Sequence, residues 1–111
     1  MIEATVLNYL SEALPVPCWM EMPEDPAGSF VVIEKTGSSV INRITKATFA
    51  LQSYAPSLAE AASLNELVKE AMDSMTELDS ISKSELNSDY NYTDTALKAY
   101  RYQAVYVITH Y

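Results

Sequence analysis

TFALQSYAPSLAEAASLNEL, residues 48–67, changes its hydrophobic period at a single proline. Before Pro56 the side chains alternate, with Phe49 and Leu51 facing one side and polar residues facing the other, as in a strand. After Pro56 the apolar residues recur every three or four positions, as in a helix packed on a sheet. A strand that leads directly into an amphipathic helix is typical of an α+β domain.

The start of that helix is marked by a capping box, Ser57-Leu58-Ala59-Glu60. We expect the Ser57 hydroxyl to accept a hydrogen bond from the Glu60 amide, while the Glu60 side chain reaches back. Pro56 ends the strand, so the two elements meet without a linker. The residues that we expect to pack on the sheet form one stripe of the helix: Ala61, Leu64, Leu67, Val68, Ala71, Met72 and Met75.

Two prolines separate the first helix from the first strand. Apolar residues recur at helical spacing over residues 2–13, which predicts a short amphipathic helix. Pro15 and Pro17 end this segment, because proline lacks the amide hydrogen that a helix needs. A short edge strand is predicted over residues 18–22.

Two segments rich in β-forming residues predict an antiparallel hairpin. The first strand covers residues 30–35 and the second covers residues 43–54. Thr36-Gly37-Ser38-Ser39 has the composition of a turn. We therefore expect residues 36–44 to form a long and mobile tip.

The C-terminal third predicts a second hairpin. A weak strand over residues 77–86 is followed by a polar, turn-like segment over residues 87–98 and by a strong strand over residues 100–110. On one face of the strong strand we expect Tyr100, Tyr102, Ala104, Tyr106 and Ile108. On the other face we expect Arg101, Gln103, Val105, Val107 and Thr109.

Together these elements predict a single α+β domain over residues 1–111. The sheet is mainly antiparallel, has about four strands and carries two helices packed on one face. The expected order of elements is α-β-β-α-β-β.

Acidic residues outnumber basic ones by 15 to 7, which gives a net charge of −8. Phosphate backbones and anionic membrane surfaces attract Lys and Arg, so we expect no direct nucleic-acid binding and no membrane binding. An acidic regulatory binder that mimics DNA remains an alternative. The single cysteine indicates a reducing compartment, and the opening MIEATVLNYLSEALPVP lacks the features of a signal peptide, so we expect a cytoplasmic protein.

No catalytic set is visible in the sequence. His110 is the only histidine, Cys18 has no basic neighbour that would favour a thiolate, and two isolated glycines cannot cradle a phosphate. We therefore expect a protein that is not an enzyme and that has no cofactor and no metal site, with Cys18 as a buried thiol. The alternative is a small enzyme in which Glu34 or Asp89 acts as acid or base.

The tyrosines and arginines are the residue types most typical of a protein–protein interface. The chain has eight tyrosines and two arginines. The predicted interface residues are Arg43, Tyr90, Tyr92, Tyr100, Arg101 and Tyr102. The alternative is structural: Tyr102 and Tyr106 would be half-buried on the sheet, and each arginine would form a surface ion pair with a carboxylate.

The order of these elements, with TFALQSYAPSLAEAASLNELVKEAM after a hairpin and a closing YRYQAVYVITHY, resembles the small tail-completion proteins of long-tailed bacteriophages and prophages. This class includes tail terminators and tail-to-head joining proteins. The resemblance implies a ring of copies, usually a hexamer, that caps the tail tube. It also implies the major tail tube protein and the head connector protein as partners, and assembly in the host cytoplasm followed by incorporation into the virion. A head-side completion or neck protein of the same module is the alternative.

Overall fold

The computed structural model describes residues 1–111 and confirms the predicted α+β class. Both helices pack on one face of a single sheet, and neither has the length and apolar character that a membrane span requires. The helices are α1 (Ile2–Ala13) and α2 (Leu58–Asp73), followed by a 3-10 helix at Met75–Glu77. The strands are β1 (Cys18–Trp19), β2 (Phe30–Ile41), β3 (Ile44–Tyr54), β4 (Ile81–Asn91) and β5 (Arg101–His110).

The five strands form one sheet in the order β1-β2-β3-β5-β4. All neighbours are antiparallel except β1 and β2, which pair in parallel. The sheet therefore has one strand more than we expected. The edge strand predicted over residues 18–22 is confirmed only at Cys18 and Trp19, because the pairing with β2 ends where Trp19 meets Val32.

The first hairpin is longer and tighter than predicted. β2 continues to Ile41 and β3 begins at Ile44, so the predicted mobile tip over residues 36–44 is wrong. Pairing with β3 keeps the Thr-Gly-Ser-Ser segment extended despite its turn composition. Only Asn42 and Arg43 form the turn, and both have positive φ, as a two-residue type I′ turn requires.

The second hairpin differs from the prediction in its first strand. β4 covers Ile81–Asn91, whereas we predicted a strand over residues 77–86 and a polar turn over residues 87–98. β4 is an edge strand that pairs only with β5, so it tolerates the polar residues that the pattern assigned to a loop. The loop that follows is short and is closed by a bridge between Asp94 and Ala99.

The alternation predicted for β5 is confirmed. Ala104, Tyr106 and Ile108 are fully buried and face the helices. The expectation that Tyr106 is half-buried is therefore wrong, and its hydroxyl donates to the Asp73 carboxylate at 2.7 Å. Burial, together with Asp73, raises the pKa of Tyr106. On α2, one residue expected to pack on the sheet does not, since Leu67 is 43% exposed.

The capping box at the start of α2 forms as predicted, with one difference in partner. The Ser57 hydroxyl oxygen accepts from the Glu60 amide at 3.2 Å. The Glu60 carboxylate accepts from the Ser57 hydroxyl at 2.9 Å rather than from the Ser57 amide. The pair satisfies one free amide of the first turn and places a negative charge at the positive end of the helix dipole.

Polar contacts hold the edge strand β4 on helix α2. Lys69 forms ion pairs with Glu66 and with Asp89, each at 2.9 Å. The buried Asn65 side chain donates to the same Asp89 carboxylate at 3.0 Å. The Lys69 ammonium and the Asn65 amide hold the pKa of Asp89 below its ordinary value.

Replacing Ser57 by Ala should lower the free energy of unfolding by about 1 kcal/mol, because the Glu60 amide loses its acceptor. Ser57→Thr keeps a hydroxyl and should remain close to the wild type. Urea denaturation followed by circular dichroism measures both variants. Equal stability of Ser57→Ala and the wild type would contradict the cap.

Asp89→Asn should make the stability of the protein less sensitive to acid. A carboxylate with a lowered pKa contributes stability that is present above its unfolded-state pKa, about 3.9, and that is lost as the pH falls through the lower folded-state pKa. Below about pH 4, the unfolding free energy of the wild type should fall more steeply than that of Asp89→Asn. Glu85→Gln, at an exposed site without an ion pair, should keep the wild-type slope. If Asp89→Asn had the same acid slope as the wild type, the ion pair between Lys69 and Asp89 would have no electrostatic role in stability.

Candidate protein-contact surface

The sheet face turned away from the helices presents side chains from β2, β3, β5 and β4, and we call it the open face. Antiparallel pairing places these side chains in rows across the strands, so that residues far apart in the chain become neighbours. One end of the open face is aromatic and the other end is basic. The rows are Tyr54 with Arg101; Gln52 with Gln103 and Tyr90; Ala50 with Val105 and Ser88; Thr48 with Val107 and Glu85; and Lys46 with Thr109 and Lys83.

Arg101 is the centre of the aromatic end. Its Nη1 donates to the Tyr54 hydroxyl at 2.6 Å, and its Nε donates to the Tyr92 carbonyl at 2.7 Å. The guanidinium carbon lies 4.4 Å from the Tyr92 ring centroid and 5.6 Å from that of Tyr54, both within cation–π range. Phe30 stacks on the Tyr54 ring with centroids 4.8 Å apart. The guanidinium is therefore held in one orientation by two tyrosines from distant parts of the chain.

Two glutamines connect the tyrosines around the arginine through side-chain hydrogen bonds. The Tyr54 hydroxyl donates to Gln52 Oε1 at 3.4 Å, and Gln52 Nε2 donates to Gln103 Oε1 at 2.9 Å. Gln103 Nε2 donates in turn to the Tyr90 hydroxyl, and the Tyr90 and Tyr92 rings meet edge to face with centroids 5.9 Å apart. We call these side chains the Arg101 network: Gln52, Tyr54, Tyr90, Tyr92, Arg101 and Gln103.

The Arg101 network is both ordered and accessible. Tyr90 and Tyr92 are 42% and 45% exposed, whereas Tyr54 is buried. Immobilising a free surface side chain on binding costs about 0.5–1.5 kcal/mol, and contacts already present in the free protein reduce that cost. Arginine and tyrosine are also the types that dominate binding energy at interfaces. This end of the sheet is therefore well suited to contact another protein.

The structure brings together three of the six predicted interface residues: Tyr90, Tyr92 and Arg101. The other three lie elsewhere. Arg43 is in the hairpin turn near the basic end, and Tyr102 lies on the helix-facing side of β5, opposite Ser53. Tyr100 precedes β5, where its carbonyl accepts from the Ala55 amide. The interface itself stays a prediction.

Sequence reasoning missed half of the Arg101 network: Gln52, Tyr54 and Gln103. Alternation alone places Gln52 and Tyr54 on one face of β3 and places Arg101 and Gln103 on one face of β5. The missing signal was the register between the two strands, which sets Tyr54 opposite Arg101. A register is decided by packing along the whole strand pair rather than by local sequence.

Neither arginine forms the surface ion pair that the structural alternative predicted. The ion pairs of the chain join Lys35 to Glu3 and Lys69 to two carboxylates. Arg101 is bound instead by a tyrosine hydroxyl, a carbonyl and two aromatic rings. Arg43 is exposed in the turn between β2 and β3.

The groups considered for catalysis lie on three different strands. Cys18 is buried, as expected, and burial raises the pKa of its thiol to about 11, so the thiol is protonated at neutral pH. Asp89 is held by Lys69 and Asn65, and Glu34 is exposed on β2. No group of three or more His, Cys, Asp or Glu side chains is arranged to hold a metal ion.

No model of a protein family matches this chain. No curated protein matches it either.

Replacing Arg101 by Lys should loosen the aromatic end. A lysine ammonium lacks the planar fork that donates to Tyr54 and Tyr92 at once, and it loses the stacked geometry. We expect the free energy of unfolding to fall by about 1 kcal/mol, and amide hydrogen exchange over residues 92–100 to become faster. Arg43→Lys is the matched control, because Arg43 lies outside the network, and it should change neither quantity. Equal effects of the two substitutions would show that the network does not order this loop.

Proposed function

We propose that this protein is a structural component of a long-tailed bacteriophage or prophage, a tail terminator that forms a ring on the tail tube and joins it to the head. Its partners are other copies of the chain, with a hexamer as the expected ring, together with the major tail tube protein and the head connector protein. It is made in the host cytoplasm and becomes part of the tail or neck of the virion. Such a role rests on binding surfaces and requires no bond to be made or broken.

The observation that carries the proposal is the ordered, accessible Arg101 network on a sheet face that no helix covers. A protein that stops a growing tube has to bind one well-defined end firmly. Side chains that are ordered before binding favour this, because less conformational entropy is lost in the complex. The order of helices and hairpins supports the same role through its resemblance to tail-completion proteins.

The distribution of charge supports assembly of several copies. Together α1 and α2 carry six carboxylates and one lysine. The rows of the open face carry Lys46, Lys83 and Arg101 against Glu85, and Glu34 of β2 lies opposite Ala50 on the same face. Opposite charge on opposite faces favours head-to-tail contacts between copies, and such contacts close into a ring when the rotation permits.

The acidic helix layer also fits a second candidate, a regulatory binder that mimics DNA. In that role, carboxylates of α1 and α2 would take the place of phosphates in the basic site of a DNA-binding protein. The two candidates differ in the face that binds, because the mimic uses the helices and the terminator uses the open face. Capture of a nucleic-acid enzyme from host lysate that is lost at high salt would favour the mimic.

Electron microscopy of the purified protein mixed with unterminated tail tubes, with its mass in solution measured in parallel, tests the proposal. We expect rings, either free or seated on tube ends. Binding to head connectors but not to tubes would assign the protein to the head side. A protein that stays monomeric and binds neither tail tubes nor head connectors would overturn the proposal.

Tyr92→Ser should weaken binding to tube ends at least about tenfold, because it removes an accessible aromatic contact of the kind that dominates interfaces. Leu97→Ser is the control, since Leu97 lies in the same loop, is 79% exposed and is outside the Arg101 network. The fraction of capped tubes, counted over a protein titration, measures both variants. If Tyr92→Ser capped as many tubes as Leu97→Ser, the Arg101 network would not be part of the interface.

A further inference from the structure

A cleft of about 400 Å³ lies at the basic end of the open face, where the hairpin turn, the start of β4 and the end of β5 meet. We call it the basic cleft. No carboxylate side chain lines it, whereas three of the seven basic residues of the chain do: Arg43, Lys46 and Lys83. In a chain of net charge −8, a local excess of positive charge indicates a site for an acidic partner.

The three cations of the basic cleft and two of its buried polar atoms have no partners within the chain. None of its three cations takes part in an ion pair. Thr109, which lies between Lys46 and Lys83 in its row, is 8% exposed, and its hydroxyl has no hydrogen-bond partner. The Nε2 atom of His110 is also buried without a partner. A buried polar atom that gains a partner on binding recovers the free energy lost on desolvation, so the cleft is suited to an oxygen-rich anionic group.

Next to the basic cleft, the tip of the β2–β3 hairpin exposes large apolar side chains. Val40, Ile41 and Ile44 are 67%, 68% and 52% exposed, and they flank the turn formed by Asn42 and Arg43. We call these five residues the hairpin tip. Clustered exposed apolar groups beside cations indicate a protein surface that is both acidic and partly apolar. A free phosphate offers no apolar surface, and a nucleic acid is repelled by the net charge of the chain.

The chain itself has a surface that is both acidic and partly apolar. A groove of about 320 Å³ between α2 and β4 is lined by Glu66, Glu70, Asp73 and Leu86, with Lys69 as its one cation. We call it the acidic groove. Glu66 and Glu70 are exposed, and Leu86 is an exposed apolar residue in its wall. The acidic groove lies on the helix-facing side of the sheet and the basic cleft lies on the open side.

We infer that the hairpin tip and the basic cleft of one copy bind the acidic groove of a second copy of this chain. The three cations of the basic cleft face the carboxylates of the acidic groove, while the apolar residues of the hairpin tip cover Leu86. The inference rests on the proposed function, since it supplies the contact between neighbouring copies in the ring. Because the two surfaces differ, each copy keeps one of them free for its next neighbour. The Arg101 network, at the other end of the open face, remains available to the tail tube.

Charge reversal on each surface tests this pairing. The variants K46E/K83E and E70K change only exposed side chains that form no ion pair. Each variant alone should need at least about tenfold more protein to assemble, because like charges then face each other. Mixed in equal amounts, the two variants should assemble again, since the basic cleft of one then meets the acidic groove of the other. Light scattering after size-exclusion chromatography measures the assembled mass.

Lys98→Glu reverses a charge in the loop after β4, away from both surfaces, and should assemble like the wild type. Circular dichroism reports whether each variant is folded. Variants that assemble as well as the wild type would overturn this inference and leave the proposed function standing. Loss of assembly without recovery in the mixture would overturn the pairing of these two surfaces. A wild type that is monomeric both in solution and on tail tubes would overturn the inference and the proposed function together.

Discussion

The strict alternation of side chains along β5 is the constraint on which the rest of the structure depends. Because β5 lies between β3 and β4, one set of its side chains contributes to the core and the other to the open face. Ten residues of β5 pair with β3 without a bulge, which places Arg101 opposite Tyr54. A shift by one residue would move Tyr106 out of the core and bring Arg101 into it, so core packing locks the register that assembles the Arg101 network.

The two faces of the sheet consequently satisfy their polar groups in different ways. On the helix side, the Tyr106 hydroxyl and the Asp89 carboxylate are paired with groups of α2, which fixes the helix on the sheet. On the aromatic end of the open face, polar side chains satisfy one another and remain accessible. At the basic end, the Thr109 hydroxyl and three cations have no such partners. The free cations of the sheet therefore lie where we place a second copy, although two buried polar atoms on the helix side, Ser53 Oγ and Asn65 Oδ1, also lack a partner.

Features that are local in sequence were predictable, and features that depend on pairing were not. The change of period at Pro56, the capping box and the alternation of β5 each follow from a few adjacent residues. The turn at Asn42 and Arg43 contains no glycine, so its signal was weaker than that of the Thr-Gly-Ser-Ser segment, which pairing with β3 holds extended. The polar end of β4 has the composition of a loop. An edge strand tolerates such residues because it pairs with only one neighbouring strand. The Arg101 network required a register that no local pattern encodes.

Our central claim is that the open face and the hairpin tip serve to contact other protein molecules. An electron cryomicroscopy reconstruction of the protein bound to the end of a tail tube tests this claim most directly. We predict that Tyr90 and Tyr92 contact the tube protein and that the hairpin tip of each copy contacts α2 of its neighbour. An assembly in which the open face of every copy is turned to solvent would contradict the claim.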